Sequence, residues 1–349
     1  MVRKPAGAAL AAVTIFLACA GEEPAPPPAL PAEAAAHALS SGELLYEWPS
    51  DGETLLELPS ALLVVDGAAY IADRGAARVY RIGADGRLEN AFGAPGEGPG
   101  ELRNPQRIQV DGRGRVWIGD AENQRIMLYE DGSAARTIPL SHWSAAHNFV
   151  ILQDTMALYP ALNRRAMFTV ATEGSSRDIP FGDIVPPELV EAMDSPFRFS
   201  FLGLLMVSLD DSCFALIANR RSVRIWKICM TRAADGIAEV REVPLAEWLD
   251  DRLAASHDEM RERDPGSEPI PLNNATRTPR GIWVTTGILP ELLGVEIGLD
   301  GGPPETVPVV FDLGQDPPSM FSALVGDSLF SLSDTKLRLN SVQPLDPVP

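Results

Sequence analysis

The sequence repeats itself, and this internal repetition restricts the fold more than any other feature of the chain. Three stretches align without gaps: IADRGAARVYRI from Ile71, IGDAENQRIMLY from Ile118 and IANRRSVRIWKI from Ile217. Each contains an apolar strand end, a short polar loop and a strand of alternating character, which together predict an antiparallel hairpin with one buried face. Hairpins repeated along a chain bury their apolar faces against each other, so the repetition favours an all-β repeat architecture.

Each copy also contains an acceptor side chain at one foot of the hairpin and an arginine at the other. Such residues invite a catalytic interpretation, but an active site is rarely built three times in one chain. We therefore predict that these side chains tie the feet of the hairpin loops together. The pairs are Asp73 with Arg78, Asp120 with Arg125, and Asn219 with Arg224.

The region around the second copy resembles a known repeat family. The segment 104–126, NPQRIQVDGRGRVWIGDAENQRI, is similar to the NHL repeat, which runs P-x-x-I-x-V-D, a Gly turn, an apolar strand ending in Asp, and N-x-R-I. The preceding GEGPGELRNP, at 96–105, resembles the loop that joins two blades in such proteins, and 62–86 is a fainter copy. The resemblance implies a β-propeller.

Counting the repeat units predicts an all-β, six-bladed propeller with four-stranded antiparallel blades, although five or seven blades stay open as alternatives. An open ring would leave a blade edge unpaired, and the early strand Leu44–Trp48 has no hairpin partner nearby. We expect this N-terminal strand to close the last blade. The predicted blades begin near residues 61, 105, 148, 202, 278 and 322.

Two insertions interrupt the repeat, and both are candidates for short helices. The first is Pro187–Met193, and the second lies between Pro244 and Asp264. In the second, Leu245, Leu249, Leu253 and Met260 fall roughly on one face, and Pro244 suits a first helical position. This helix is either a surface decoration or a lid over the centre of the ring, since long insertions in compact domains are often functional.

The amino terminus is typical of a secretion signal. Residues 1–18 contain Arg3 and Lys4 followed by an apolar run too short to span a bilayer. The sequence FLAC at 16–19 resembles the lipobox of bacterial lipoproteins, which implies acylation of Cys19; an ordinary signal peptide is the alternative. Residues 19–41 are rich in Pro and Ala and predict a tether, so the propeller domain is assigned to 42–349.

The charge of the chain excludes one large class of partners. The formal net charge is −19, and removal of Arg3 and Lys4 with the leader makes the mature chain more negative by two charges. Nucleic acids are held by clustered Lys and Arg, so a nucleic-acid partner is not expected. The remaining partners are the membrane through the lipid on Cys19, and a protein or small ligand bound by a monomeric domain.

Two cysteines remain after Cys19. Cys213 and Cys229 flank the third hairpin, and pairing centred on Arg221 would place them opposite each other on neighbouring strands. A disulfide is expected in an oxidising exported compartment, but a shift of one residue in register would turn the side chains to opposite faces.

Catalytic signatures are scarce. Streptogramin lyases and peptidyl-amidating lyases, which have related propellers, use histidines around the channel. This chain has four histidines, and we interpret His142 and His147 as loop residues rather than metal ligands. No cofactor is evident, although calcium on carboxylates that line the channel, as in gluconolactonase-type propellers, stays open.

We therefore predict an exported, membrane-anchored binding or scaffolding module of the periplasm or cell exterior, and we favour a non-catalytic role because the sequence contains no recognised catalytic signature. The alternative is a metal-dependent hydrolase or lyase with its site in the axial channel. The candidate binding residues lie in loops between second and third strands: Arg74, Glu122, Asn123, Arg220 and Arg221.

The lipobox resemblance predicts that Cys19 is acylated. Several acyl groups on this one residue would anchor the protein to a membrane without a spanning helix. Cells that express the protein and are fed a clickable palmitate analogue should label it, and Cys19→Ala should remove the label. Equal labelling of both proteins, or of neither, would contradict the assignment.

Overall fold

The computed structural model describes ten stretches of the chain: 39–49, 56–161, 166–194, 203–218, 222–265, 272–286, 292–299, 306–310, 321–333 and 335–344. These stretches contain twenty-four strands and two α-helices. Among the described residues, no helix is both long and apolar enough to cross a membrane.

Consecutive strands pair into four-stranded antiparallel blades, with the first strand of each blade innermost. The first three blades are β2 (Pro59–Val65), β3 (Ala68–Asp73), β4 (Arg78–Ile82), β5 (Leu88–Phe92); β6 (Pro105–Val110), β7 (Val116–Asp120), β8 (Arg125–Glu130), β9 (Ser133–Pro139); and β10 (Val150–Leu152), β11 (Met156–Pro160), β12 (Ala166–Ala171), β13 (Ser176–Pro180). The fourth and fifth are β14 (Leu204–Ser208), β15 (Cys213–Ala218), β16 (Arg224–Met230), β17 (Ile237–Val243); and β18 (Leu272–Arg277), β19 (Gly281–Thr286), β20 (Leu292–Gly298), β21 (Thr306–Val310).

The sixth blade combines the two ends of the domain. Its inner strands are β22 (Phe321–Val325), β23 (Ser328–Leu332) and β24 (Leu337–Pro344), and its outermost strand is β1 (Leu39–Trp48). β1 pairs antiparallel with β24, from Leu39 opposite Pro344 to Trp48 opposite Leu337. The prediction of a six-bladed propeller closed by the N-terminal strand is therefore confirmed. β1 begins at Leu39, so pairing includes residues that we had assigned to the tether.

The apolar core is divided among the gaps between blades. Buried side chains form six clusters, and each cluster draws its members from two adjacent blades. At the closing gap, Trp48 of β1 lies 5.4 Å from the ring of Tyr80 in the first blade, measured between ring centroids. Both faces of a blade are thus buried, which explains why fully buried strands such as β3 and β7 depart from strict alternation.

The connections between strands separate onto two faces of the ring. Turns between first and second strands lie on one, which we call the turn face. Segments that lead from the outermost strand of one blade to the innermost strand of the next lie on the other, the insertion face. The insertion face includes a 3₁₀ helix (Trp143–Ala146), α1 (Pro187–Asp194) and α2 (Glu247–Arg263).

The longer inserted helix differs from its prediction in two respects. α2 begins at Glu247 rather than Pro244, because Ala246 still has an extended backbone. Its buried face is Leu249, Leu253 and His257, at four-residue spacing, whereas Met260 is exposed. Leu249 and Leu253 pack in the cluster between the fourth and fifth blades, so α2 rests on that gap.

The fifth blade also begins earlier than predicted. We expected its first strand near residue 278, in RGIWVTT, but β18 covers 272–277 and the predicted first strand is the second, β19. The sequence of β18, LNNATR, has too few large apolar residues to be recognised as a strand. Two of its polar residues, Asn274 and Thr276, face the centre of the ring, as described below.

The recurring acidic residues tie two segments together, a wider role than the hairpin-foot contact that we predicted. The carboxylate of Asp73 accepts backbone hydrogen bonds from the strand entry at 57–58 and from the loop at 75–76. Asp120 accepts backbone hydrogen bonds from Arg103 and Asn104. Arg125 contacts Asp120 at 3.4 Å, whereas Arg78 lies opposite Asp73 in the strand register. Asn219 lies outside the described residues.

Cys213 and Cys229 face each other in the register of β15 and β16. The structure joins them in a disulfide, with Cα atoms 4.1 Å apart. The bond therefore links the second and third strands of the fourth blade.

Arg125 should be a major contributor to stability, because its guanidinium donates to the carbonyl oxygens of Glu97, Gly98 and Glu101 besides contacting fully buried Asp120. Arg125→Met should lower the free energy of unfolding by about 2–4 kcal/mol, since it leaves a buried carboxylate without its charge partner. Urea denaturation measures the change. Arg136→Met, which removes a half-exposed arginine from outermost β9, is the control; equal effects of the two substitutions would refute the assignment.

Candidate functional site

The innermost strands surround the axis of the ring, and one of them sends an arginine across it. Arg107 is on β6 of the second blade, and its Nη2 donates a hydrogen bond to the carbonyl oxygen of Met206 on β14. The strand β14 belongs to the fourth blade, so the side chain passes in front of the third blade to reach it. Arg107 therefore occupies the central channel rather than a gap between neighbouring blades.

The positive charge of Arg107 has no acidic partner among the described residues. Its Nε–H group is buried without a hydrogen-bond acceptor in the part of the chain that the structure describes. The side chain keeps some exposure within the channel, but protein atoms surround the guanidinium, and this burial lowers the pKa of Arg107 to about 10. The group is still protonated at neutral pH, so the channel contains a cation that no described acidic residue compensates.

A second polar side chain crosses the axis from the opposite side. Asn274 is on β18 of the fifth blade, and its Nδ2 lies 3.3 Å from the carbonyl oxygen of Leu62 on β2 of the first blade. This contact passes in front of the sixth blade. Asn274 and Arg107 each stand three residues before the end of their strands, so the two cross the channel at a similar height.

Two more polar groups accompany these residues on the same strands. Thr276, two residues after Asn274, is buried, and its Oγ1 has no hydrogen-bond partner within the described segments. Gln109, two residues after Arg107, is buried with its Nε2 3.4 Å from the carbonyl oxygen of Phe149. Because side chains two apart in a strand share a face, each strand presents a pair of polar groups. The channel can thus offer a cation and several neutral hydrogen-bond donors.

The insertion face adds an aromatic residue and a histidine next to the third blade. Trp143 is 53% exposed, and its ring lies 5.2 Å from that of His147 in an edge arrangement. The 3₁₀ helix that carries Trp143 rests directly on β7. A Cβ at Gly119 would come within 2.1 Å of the carbonyl oxygen of Ala146, so only glycine permits this approach.

Burial lowers the pKa of His147 to about 4, and the positive charge of Arg74 contributes in the same direction, against the opposing effect of hydrogen bonds that the ring donates to the backbone of Trp143 and Ser144. His147 is therefore neutral at pH 7. The electrostatic influence of Arg74, from the first blade, indicates that these two insertion-face residues lie near each other.

The predicted loop residues have unequal roles. Asn123 donates hydrogen bonds to Asp120 and to the carbonyl oxygen of Gly96, so its side chain is engaged within the protein. Glu122 forms an ion pair with Arg103 at 3.3 Å, and Arg74 is exposed. Arg220, Arg221 and the predicted lipidation site Cys19 lie outside the described residues.

No metal centre can be assembled from the residues that the structure places. Within these ranges there is no group of three or more His, Cys, Asp or Glu side chains arranged to hold a metal ion. His142 instead contacts Ser144 Oγ at 2.7 Å and the carbonyl oxygen of Pro160 at 3.2 Å.

Sequence reasoning missed Arg107, Gln109, Asn274 and Thr276 as site residues. Arg107 and Gln109 lie within the segment that resembles an NHL repeat. There they occupy the alternate polar positions of a predicted strand, so nothing in the sequence marks them as site residues. A signal did exist in β18, whose polar composition is unusual for a strand at the centre of a protein.

The comparisons with known proteins agree with the fold. The chain matches no family model, and no curated protein matches it. A Bacteroides fragilis protein inferred to be exported is similar in structure, with a TM-score of 0.50 and 13% identity over 90% of this chain and 96% of that one.

Two enzymes also align with most of the chain. Virginiamycin B lyase from Staphylococcus aureus gives a TM-score of 0.47 at 12% identity, covering 82% of this chain and 98% of its own. A gluconolactonase from Xanthomonas campestris gives 0.48 at 11% identity, covering 89% and 93%. At such identities the likeness concerns the fold alone.

The lowered pKa of His147 predicts a loss of stability in acid. Folding favours the neutral ring, so the contribution of His147 is complete above the unfolded pKa of about 6.5 and is lost as pH falls toward 4. His147→Asn should therefore make the fall in urea midpoint between pH 7 and pH 4 shallower than in the wild type. Parallel pH profiles for the two proteins would show that His147 is not responsible.

Proposed function

We propose that this protein is an exported, lipid-anchored propeller of the NHL-like type that binds a small molecule in its axial channel. The observation that carries the proposal is the set of polar side chains at the centre of the ring. Arg107 and Asn274 each reach past a neighbouring blade to a backbone carbonyl oxygen on the far side of it. Polar groups placed among apolar walls are the usual composition of a ligand site.

The energetics of Arg107 support a binding role. Burying a cation without an anionic partner costs free energy, and a chain selected for stability alone would place an apolar residue there. Functional sites are the regions where such unfavourable arrangements are retained, because the ligand supplies the missing interaction.

The loops on the insertion face give less support to a protein partner. Asn123 and Arg125 hold the loop at 96–101 in place, and Glu122 is paired with Arg103. Side chains that are already engaged would lose these contacts on forming an interface. We therefore favour the channel over the loops as the binding element.

The topology of β1 also fits an anchored protein. Leu39 pairs with Pro344, at the end of the blade where the turn between β22 and β23 lies. A tether that leads from an acylated Cys19 to Leu39 would reach the ring at its turn face. The insertion face, which carries the 3₁₀ helix, α1 and α2, would then point away from the membrane and leave the channel accessible from that side.

Ligand retention tests the proposal. The chain carrying Cys19→Ala is incubated with a bacterial metabolite extract, freed of unbound compounds and examined by native mass spectrometry. We expect one small molecule retained per chain. Asn274→Leu, close to isosteric, should abolish retention because it removes an amide from the channel.

Asn90→Leu is the matched control, since Asn90 lies on β5, the outermost strand of the first blade. It should retain the same compound as the wild type. Circular dichroism verifies that both variants are folded. Absence of any retained molecule from the wild type, or unchanged retention in folded Asn274→Leu, would reject the channel as the binding site.

A further inference from the structure

We propose that the ligand of the channel is a small monocarboxylate, held by the guanidinium of Arg107. This inference rests on the proposed function, because it names the chemical class of the molecule that the channel binds. Its starting point is the uncompensated cation. Among the ion pairs formed by described residues, none includes Arg107, and the Nε–H group points at no acceptor.

The guanidinium of Arg107 suits a carboxylate. A carboxylate accepts two parallel N–H groups from one edge of a guanidinium, and such charge-assisted pairs are stronger than hydrogen bonds between neutral groups. Nη2 is already directed at the carbonyl oxygen of Met206, which fixes the orientation of the planar group. Nε–H is itself buried, so a ligand would bind the part of Arg107 that keeps exposure within the channel. The bond to Met206 preorients that part, so little side-chain freedom remains to be lost on binding.

The neighbouring groups favour the same ligand. Gln109 and Asn274 have N–H donors, and the hydroxyl of Thr276 lacks a partner within the described residues. These groups are neutral, so Arg107 is the single positive charge among these four residues. One negative charge on the ligand balances it, whereas a dianion such as phosphate would leave excess negative charge in a protein whose net charge is already −19.

Two other arginines near the same blade have the partners expected of a structural residue. Arg115 contacts Asp111 at 2.8 Å and donates to the carbonyl oxygen of Asp154, and Arg125 contacts Asp120. Both are satisfied by the protein itself. Arg107 is satisfied only in part, which assigns its remaining capacity to a molecule that is not part of the chain.

The test compares two probes of the same shape on the chain carrying Cys19→Ala. Propionate has the carboxylate and propionamide replaces it by a neutral amide. Ligand-observed NMR at millimolar concentrations should detect propionate but not propionamide. Sodium propionate should raise the Tm by about 2 °C or more over sodium chloride of equal ionic strength.

Arg107→Met should weaken propionate binding by about tenfold or more, and Arg107→Lys should retain part of it. Arg136→Met, on outermost β9, is the matched control and should bind propionate as the wild type does. Without ligand, Arg107→Met should keep or raise the Tm, because it removes an unpaired charge from the channel.

Several results would overturn this inference. They are the absence of propionate binding to the wild type, equal binding of propionamide, tighter binding of phosphate than of propionate, and retention of propionate by Arg107→Met. A fall in Tm for Arg107→Met as large as that for Arg125→Met would assign Arg107 to structure instead. If the channel retains a neutral metabolite that Asn274→Leu releases, the proposed function stands and only the carboxylate assignment fails.

Discussion

Closure of the ring by β1 is the interaction on which the rest of the structure depends. A single blade is a small sheet with two apolar faces, and it can bury both only between two neighbours. The pairing of β1 with β24, together with Trp48 packed against Tyr80, turns six such sheets into a cycle in which each has two neighbours. Closure also brings the innermost strands around one axis, and the channel exists only as a result.

The environment of an arginine in this protein depends on its position within a blade. At the outer feet of the hairpins, Arg125 meets an aspartate and several carbonyl oxygens, and it stabilises the loop that joins two blades. On the innermost strand of the same blade, Arg107 meets a single carbonyl oxygen and no carboxylate among the described residues. The same residue type therefore stabilises the fold in one place and, in our proposal, offers a charge to a ligand in the other.

Much of the architecture could be predicted because propeller blades are local in sequence. The hairpin copies, the turn residues and the unpaired strand at Leu44–Trp48 all follow from short patterns. Contacts across the axis could not be predicted, since they join residues such as Asn274 and Leu62 that are far apart in the chain and belong to different blades. The start of the fifth blade was predicted too late for a related reason: β18 has polar residues in place of the large apolar ones that identify a strand.

The position of β1 has a consequence for the order in which the protein can be completed. A ribosome releases Leu39 early and Pro344 last of all the paired residues, yet the two are partners. Until the final strand is made, the first has an open edge and the gap between the sixth and first blades is unfilled. Completion of the ring thus requires both β1 and β24, and a nascent or shortened chain that lacks β24 differs from the finished one by an exposed apolar seam.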